Sequence, residues 1–212
     1  MPSYKVIYFD FTGRAEPIRW LFSYGNIPFT DQRVSREEWV KLKPTTPFGQ
    51  LPVLEIDGEP AAQSNALCRY VANLVGLDGK DAKENLAINQ IVDAAEDLQK
   101  GVIEMFFCKD EDKKKELKAK FVSSSEVLLK NFDDRAGKNG GYLALNRLTW
   151  ADIIVVLNYE SWVNSVDQDV FKPYPNLQKV KKNVLSQDGI RNWIKTRPEN
   201  KMKPKYDIKQ DL

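Results

Sequence analysis

The hydrophobic period changes once along this chain, and that change limits what it can fold into. Before the polar, glycine-containing stretch GLDGKDAKEN (76–85), short apolar runs alternate with helical patterns; beyond it nearly every pattern repeats at 3.6 residues. YKVIYF (4–9) is rich in aromatic and β-branched residues and reads as a buried strand. AEPIRWLFSYG (15–25) carries Pro17 at a helix start and Gly25 at its end. IPFTDQRV (27–34) is a second strand, followed by an irregular piece containing Trp39 and Lys43. PVLEI and EPAAQ then form a hairpin across Asp57-Gly58, and Ser64 caps a helix with Leu67, Tyr70, Val71, Leu74 and Val75 on its apolar face. The reading is an α/β domain over 1–78 joined to an all-helical domain over 84–212. In the latter, Ile88, Ile91, Val92, Ala95, Leu98, Val102 and Met105 form one stripe. Thr149 and Asp152 make a capping box there, with Leu148 and Ile153 spaced as a staple. YPNLQKVKKNVLS and GIRNWIKTRP read as two shorter helices before a charged tail.

Composition narrows the chemistry. With 32 basic against 30 acidic residues the net charge is only +2, so neither nucleic acid nor an anionic membrane is expected as a partner. The run KDEDKKKELKAK (109–120) is mixed in sign and reads as a solvated helix face. No stretch approaches the ~20 apolar residues of a membrane span, and MPSYKVIYFDF lacks the basic-then-apolar pattern of a secretory signal, so the cytoplasm is expected. Cys68 and Cys108, both within apparent helices, suggest a reducing compartment rather than a disulfide framework. Histidine is absent. That excludes Ser–His, Cys–His and HExxH chemistry and argues against zinc, so no metal centre is expected. Catalysis would rest on Tyr, Arg, Lys, Ser or carboxylates.

Three positions stand out. Pro52 sits at the threshold of a strand, where it can be an ordinary trans proline opening an edge strand. Gln63 and Ser64 begin a helix, whose free N–H groups and dipole suit an anion. The stretch YFDFTGRAE (8–16) has no cysteine, so a CxxC redox pair is absent. Taken alone, Tyr8 would be core packing, Trp39 packing and Lys43 surface.

YFDFTGRAEPIR, PFGQLPVLEIDG, QSNALCRY and LTWAD, in this order and at this spacing, together resemble the cytosolic glutathione transferases. Within them the chain is most similar to the sigma class, which includes invertebrate enzymes and the glutathione-dependent prostaglandin D synthases. The similarity covers all but about the last ten residues. It implies a thioredoxin-like domain followed by a helical one, in a cytoplasmic homodimer that conjugates glutathione to small apolar electrophiles or lipid peroxidation products. By the same resemblance Pro52 is cis, and the Leu51 backbone pairs with the cysteinyl backbone of glutathione as a short strand addition. Gln63 and Ser64 hold the γ-glutamyl carboxylate, and Trp39, Lys43 and Gln50 the glycyl end. Tyr8 donates its hydroxyl to the glutathione sulfur with Arg14 adding positive charge, and Asp97 reaches the glutathione of the neighbouring subunit. Asp93, Glu96 and Asp97 lie where some members bind a divalent cation between subunits, while Glu96 taken alone is a solvated carboxylate.

The resemblance places the electrophile pocket at Phe9, Thr12, Gly13, Gln99, Phe106, Ile154, Leu157, Asn158 and the tail NKMKPKYDIKQDL, which is longer and more charged than the family pattern and reads either as a cover or as a free end. The vertebrate prostaglandin synthases carry a tryptophan and a tyrosine in this region; here stand Phe106 or Phe107 and Ile154. Three alternatives accompany conjugation: prostaglandin isomerisation, a low-activity crystallin-like binding protein, and a carrier of apolar ligands.

Overall fold

The structure, a computed structural model, describes residues 2–200 and 205–212. It falls into two compact units. One comprises Met1–Leu77 with Gln187–Lys203, the other Asp78–Ser186 with Pro204–Leu212.

The first unit is built on a four-stranded sheet in the order β2-β1-β3-β4. β1 (Tyr4–Phe9) pairs parallel with β2 (Thr30–Val34) and antiparallel with β3 (Val53–Ile56), Ile7 facing Val53; β4 (Glu59–Ala62) closes the other edge. β1 begins and ends where its aromatic and β-branched run does, whereas β2 starts at Thr30, three residues later than expected, since Pro28 supplies no N–H to the ladder. The hairpin turn needs left-handed backbone at both central residues, and Asp57 (φ 52°) and Gly58 (φ 89°) supply it.

Period two divides β1 between two layers. Tyr4, Val6 and Tyr8 lie buried on the face covered by α1 (Glu16–Tyr24), Tyr4 and Phe22 having ring centroids 4.9 Å apart. On the opposite face Ile7, Val34 and Val53 form a cluster against which Phe9, Trp39, Leu42 and Leu51 pack. The segment carrying Trp39, expected to be irregular, is α2 (Arg36–Leu42), opened by a capping box between Ser35 and Glu38. α3 (Ser64–Leu74) also packs on α1.

The second unit is helical: α4 (Ala82–Phe107), α5 (Glu111–Lys138), α6 (Trp150–Val166) and α7 (Pro175–Leu185). All seven residues of the α4 stripe are buried. All but the first two residues of the mixed-sign run lie on α5, whose Glu111, Asp112 and Lys115 are exposed. α6 is apolar nearly all round, as a central helix must be, and buries Trp150, Val155, Val156, Tyr159 and Trp162. Its start is the expected capping box of Thr149 and Asp152. Cys68 is buried in α3, while Cys108 lies one residue beyond α4 as its C-cap rather than within a helix.

α8 (Asp188–Thr196), which the sequence assigned with 84–212 to the helical domain, packs instead on α1 in the first unit. Ile190 and Ile194 are fully buried, and the Gly189 backbone lies so close to Ser23 that a Cβ there would meet its carbonyl oxygen at 2.0 Å. Amphipathicity shows that α8 has an apolar face, but not which surface receives it. Of the charged tail, residues 201–204 lie outside the described residues. The rest folds onto the helical unit through fully buried Ile208 and paired hydrogen bonds between Asn164 and the Tyr206 backbone. No helix among the described residues is long and apolar enough to cross a membrane.

Candidate functional site

The first unit gathers most of its expected site residues around the end of β1. Tyr8 is the penultimate residue of that strand and only 7% exposed, so its hydroxyl is fixed by packing. The Arg14 backbone N–H donates to that hydroxyl at 3.3 Å. Burial raises the Tyr8 pKa above its ordinary value of 10.0, against the opposing pull of the Arg14 N–H and the Arg14 and Arg19 charges. The phenol is therefore protonated at neutral pH. Its oxygen accepts from Arg14, and among the described residues nothing takes up its own proton, which can be donated to a ligand.

Gly13, expected as pocket lining, has a tighter role. Its φ is +45°, and a Cβ at this position would lie 2.7 Å from the Tyr8 hydroxyl oxygen. Only glycine combines that backbone with so close an approach. Thr12 beside it donates its N–H to Asn200 Oδ1 at 3.0 Å, and Phe9 lies edge-on to Trp39 with centroids 6.1 Å apart.

Across the sheet the Leu51–Pro52 bond is cis, and Leu51 precedes the ladder that begins at Val53. Gln63, not Ser64, is the N-cap of α3, held at φ 75° and ψ 100° without a side-chain cap. That conformation costs a non-glycine residue about 1–3 kcal/mol and is characteristic of ligand clamps. Ser64 becomes the first helical residue, and its hydroxyl lies 3.5 Å from Arg14 Nη1. Strand end, guanidinium and helix start thus meet within one unit: a neutral donor, a cation, and the positive end of a helix. Lys43 is exposed, with its stem beside Gly49, where a Cβ would lie 3.6 Å from Lys43 Cε; Gln50 follows directly and is exposed.

The remaining expected residues lie in the helical unit. Asp97 is exposed and paired with Lys100 on the same helix at 2.8 Å. Asp93 is exposed and Glu96 half-buried. Among the described residues no group of three His, Cys, Asp or Glu side chains could hold a metal ion. Phe106 is 62% exposed and edge-on to Phe107, Ile154 is buried, and Leu157 and Asn158 are half-buried. Ser161 Oγ lies 2.9 Å from both Gln99 Oε1 and the Asn158 carbonyl.

Sequence reasoning missed the buried polar cluster behind the Tyr8 site. Glu16 Oε1 accepts from Trp20 Nε1 at 3.1 Å, Trp193 Nε1 at 2.8 Å and Arg197 Nη1 at 2.8 Å, while Glu16 Oε2 accepts from Arg19 Nη1 at 3.1 Å. Arg19 also pairs with Asp31 at 2.8 Å and donates to the carbonyls of Phe11 and Thr12. The one local signal was two charged residues, Glu16 and Arg19, set three apart in an otherwise apolar helix pattern.

Residues 4–73 match the model of the glutathione S-transferase N-terminal domain, and residues 96–197 that of the glutathione S-transferase C-terminal domain. The chain belongs to the glutathione S-transferase family, and its sheet is the thioredoxin-like sheet of that family. A glutathione S-transferase of Anopheles gambiae is 40% identical over 203 residues, covering 93% of this chain and 98% of its own. The hematopoietic prostaglandin D synthase of Mus musculus is 34% identical over 209 residues, covering 95% and 100%. Among solved structures, prostaglandin synthase D of Nilaparvata lugens matches with a TM-score of 0.85 at 36% identity, covering 93% of this chain and all of that one.

Proposed function

We propose that this chain binds glutathione in its first unit and conjugates it to small apolar electrophiles or lipid peroxidation products, with Tyr8 as donor to the glutathione thiolate. The observation that carries this reading is the Tyr8 hydroxyl: buried, neutral, accepting from the Arg14 N–H and left with a proton to give. A donor aimed at sulfur favours the ionised thiol. Lowering a thiol pKa by two units, from ~8.5 to ~6.5, requires about 2.7 kcal/mol, and one hydrogen bond to a charged acceptor supplies ~1.5–3 kcal/mol. Tyr8 therefore accounts for most of the activation, and Arg14 adds charge.

Glutathione would lie as an added strand against Leu51 beside cis Pro52, with its γ-glutamyl carboxylate at Gln63 and Ser64 and its glycyl end at Trp39, Lys43 and Gln50. The electrophile-facing residues remain those named from the sequence. We further infer a sigma-class homodimer in which Asp97 serves the partner subunit's glutathione. Phe48 is 65% exposed, and Tyr70 and Leu74, four apart on α3, are also exposed; large apolar side chains left open in this way support that reading. A divalent cation between subunits would be tested by activity before and after chelation.

Steady-state conjugation of glutathione to a small aryl halide tests the main reading. Tyr8→Phe should retain the fold and glutathione affinity and lose roughly 10- to 100-fold in rate at neutral pH, recovering as pH rises. An unchanged pH–rate profile would remove Tyr8 from the mechanism. Turnover of a prostaglandin endoperoxide by the wild type would favour the isomerase reading, which the two prostaglandin synthase relatives motivate. Retention on immobilised glutathione without turnover would indicate a binding protein.

A further inference from the structure

The hydroxyl proposed to stabilise the thiolate is held by a loop, and that loop is held by the far end of the chain. Residues 10–15 join β1 to α1 and present the Gly13 backbone and the Arg14 N–H to Tyr8. At 3.3 Å the Arg14–Tyr8 bond is near the long limit, so a shift of a few tenths of an ångström would break it. Three polar groups of the loop backbone are pinned from behind. Arg19 Nη1 reaches the carbonyls of Phe11 at 3.1 Å and Thr12 at 3.3 Å, and the Thr12 N–H donates to Asn200 Oδ1 at 3.0 Å. Arg19 is aimed by Glu16, which in turn receives Trp193 and Arg197 from α8 and its exit. The segment 193–200 therefore acts on the loop twice, directly through Asn200 and through Glu16 and Arg19.

We propose that Asn200, with Arg197 behind it, is a positioning residue for Tyr8: it fixes the loop so that the Arg14 N–H polarises the hydroxyl, and a polarised hydroxyl donates more strongly to sulfur. The proposal rests on the role of Tyr8 given above. Asn200 touches neither reacting atom and is half-buried at the protein surface, so its truncation leaves the core intact.

The test is a double-mutant cycle on the full chain with Tyr8→Phe and Asn200→Ala, reading the thiol pKa of bound glutathione from the ultraviolet absorbance of the thiolate, the pH–rate profile and the melting temperature. Asn200→Ala should raise the bound thiol pKa by about half a unit, which is about a threefold loss of rate at pH well below the thiol pKa, narrowing to about 1.5-fold at neutral pH and vanishing under alkaline conditions. Glutathione affinity and melting temperature should stay at wild-type values. In the Tyr8→Phe background the same change should have no further effect on the thiol. If Tyr8→Phe moves the thiol pKa and Asn200→Ala does not, or if the Asn200 effect persists without the Tyr8 hydroxyl, positioning through Tyr8 is overturned while the role of Tyr8 stands. If Tyr8→Phe itself leaves the thiol pKa unmoved, both readings fall together.

Discussion

Two carboxylates lie at the same depth in this molecule and respond to burial in opposite ways. Glu16 in the first unit and Asp152 in the second are each fully buried, and each accepts several hydrogen bonds of ordinary length. The donors around Glu16 include two guanidiniums. Burial pushes its pKa up, but the Arg197 and Arg19 charges and the hydrogen bonds from Arg197 and Trp193 outweigh it, and the net shift is below the ordinary 4.5. Around Asp152 the donors are neutral: the Leu143 and Thr149 N–H groups and the Thr149 hydroxyl. Here burial prevails over those bonds and the carboxyl is pushed up to about 6. Hydrogen bonds satisfy a buried acid in both places; only opposite charge decides the direction of its titration.

The largest expected effect is therefore at Glu16. Glu16→Gln keeps the shape but removes the negative charge that two buried guanidiniums face, which should destabilise the chain by about 3–5 kcal/mol in urea unfolding. Asp152→Asn removes one acceptor and turns an NH2 toward backbone donors, a loss of about 1–3 kcal/mol. If Asp152→Asn proves the more damaging of the two, charge compensation is not what separates the sites. The smallest and most diagnostic effect is the pH dependence of each variant's deficit. Because the folded pKa of Glu16 is depressed, its contribution is present above 4.5 and is lost as pH falls through the lower folded value. Because the folded pKa of Asp152 is raised, the native state takes up the proton first, so stability rises as pH falls from about 6 to 3.8. The Glu16→Gln deficit should shrink in acid and the Asp152→Asn deficit should grow. Parallel slopes would break the comparison.

The same contrast marks what could be read from the sequence. Thr149 and Asp152 are three apart, so their box was visible locally and the structure forms it. Tyr8 and Pro52 became conspicuous through the motifs around them, and the structure places Tyr8 beside Arg14 and makes the Pro52 bond cis. Glu16 and Arg197 are separated by almost the whole chain, and no periodicity reports a pair at that distance. α2 was missed although Ser35 and Glu38 spell a capping box, because its two half-buried residues, Trp39 and Leu42, give so short a pattern no apolar stripe. Gln63 displaced Ser64 as the cap of α3 because hydroxyl chemistry predicts the serine, whereas the backbone turns left-handed one residue earlier.

The first unit is assembled from 1–77 and 187–203, more than a hundred residues apart. As the chain leaves the ribosome, β1 and α1 emerge early, with Glu16 committed to a buried position whose partners Trp193 in α8 and Arg197 just beyond it do not yet exist. At common elongation rates the wait is on the order of ten seconds. The thioredoxin-like sheet is thus not an autonomous module that finishes folding before its neighbour. Its charge balance is completed by residues synthesised long after Glu16, so a transcript cut short before α8 would yield a chain with every motif of the site and no stable way to hold it.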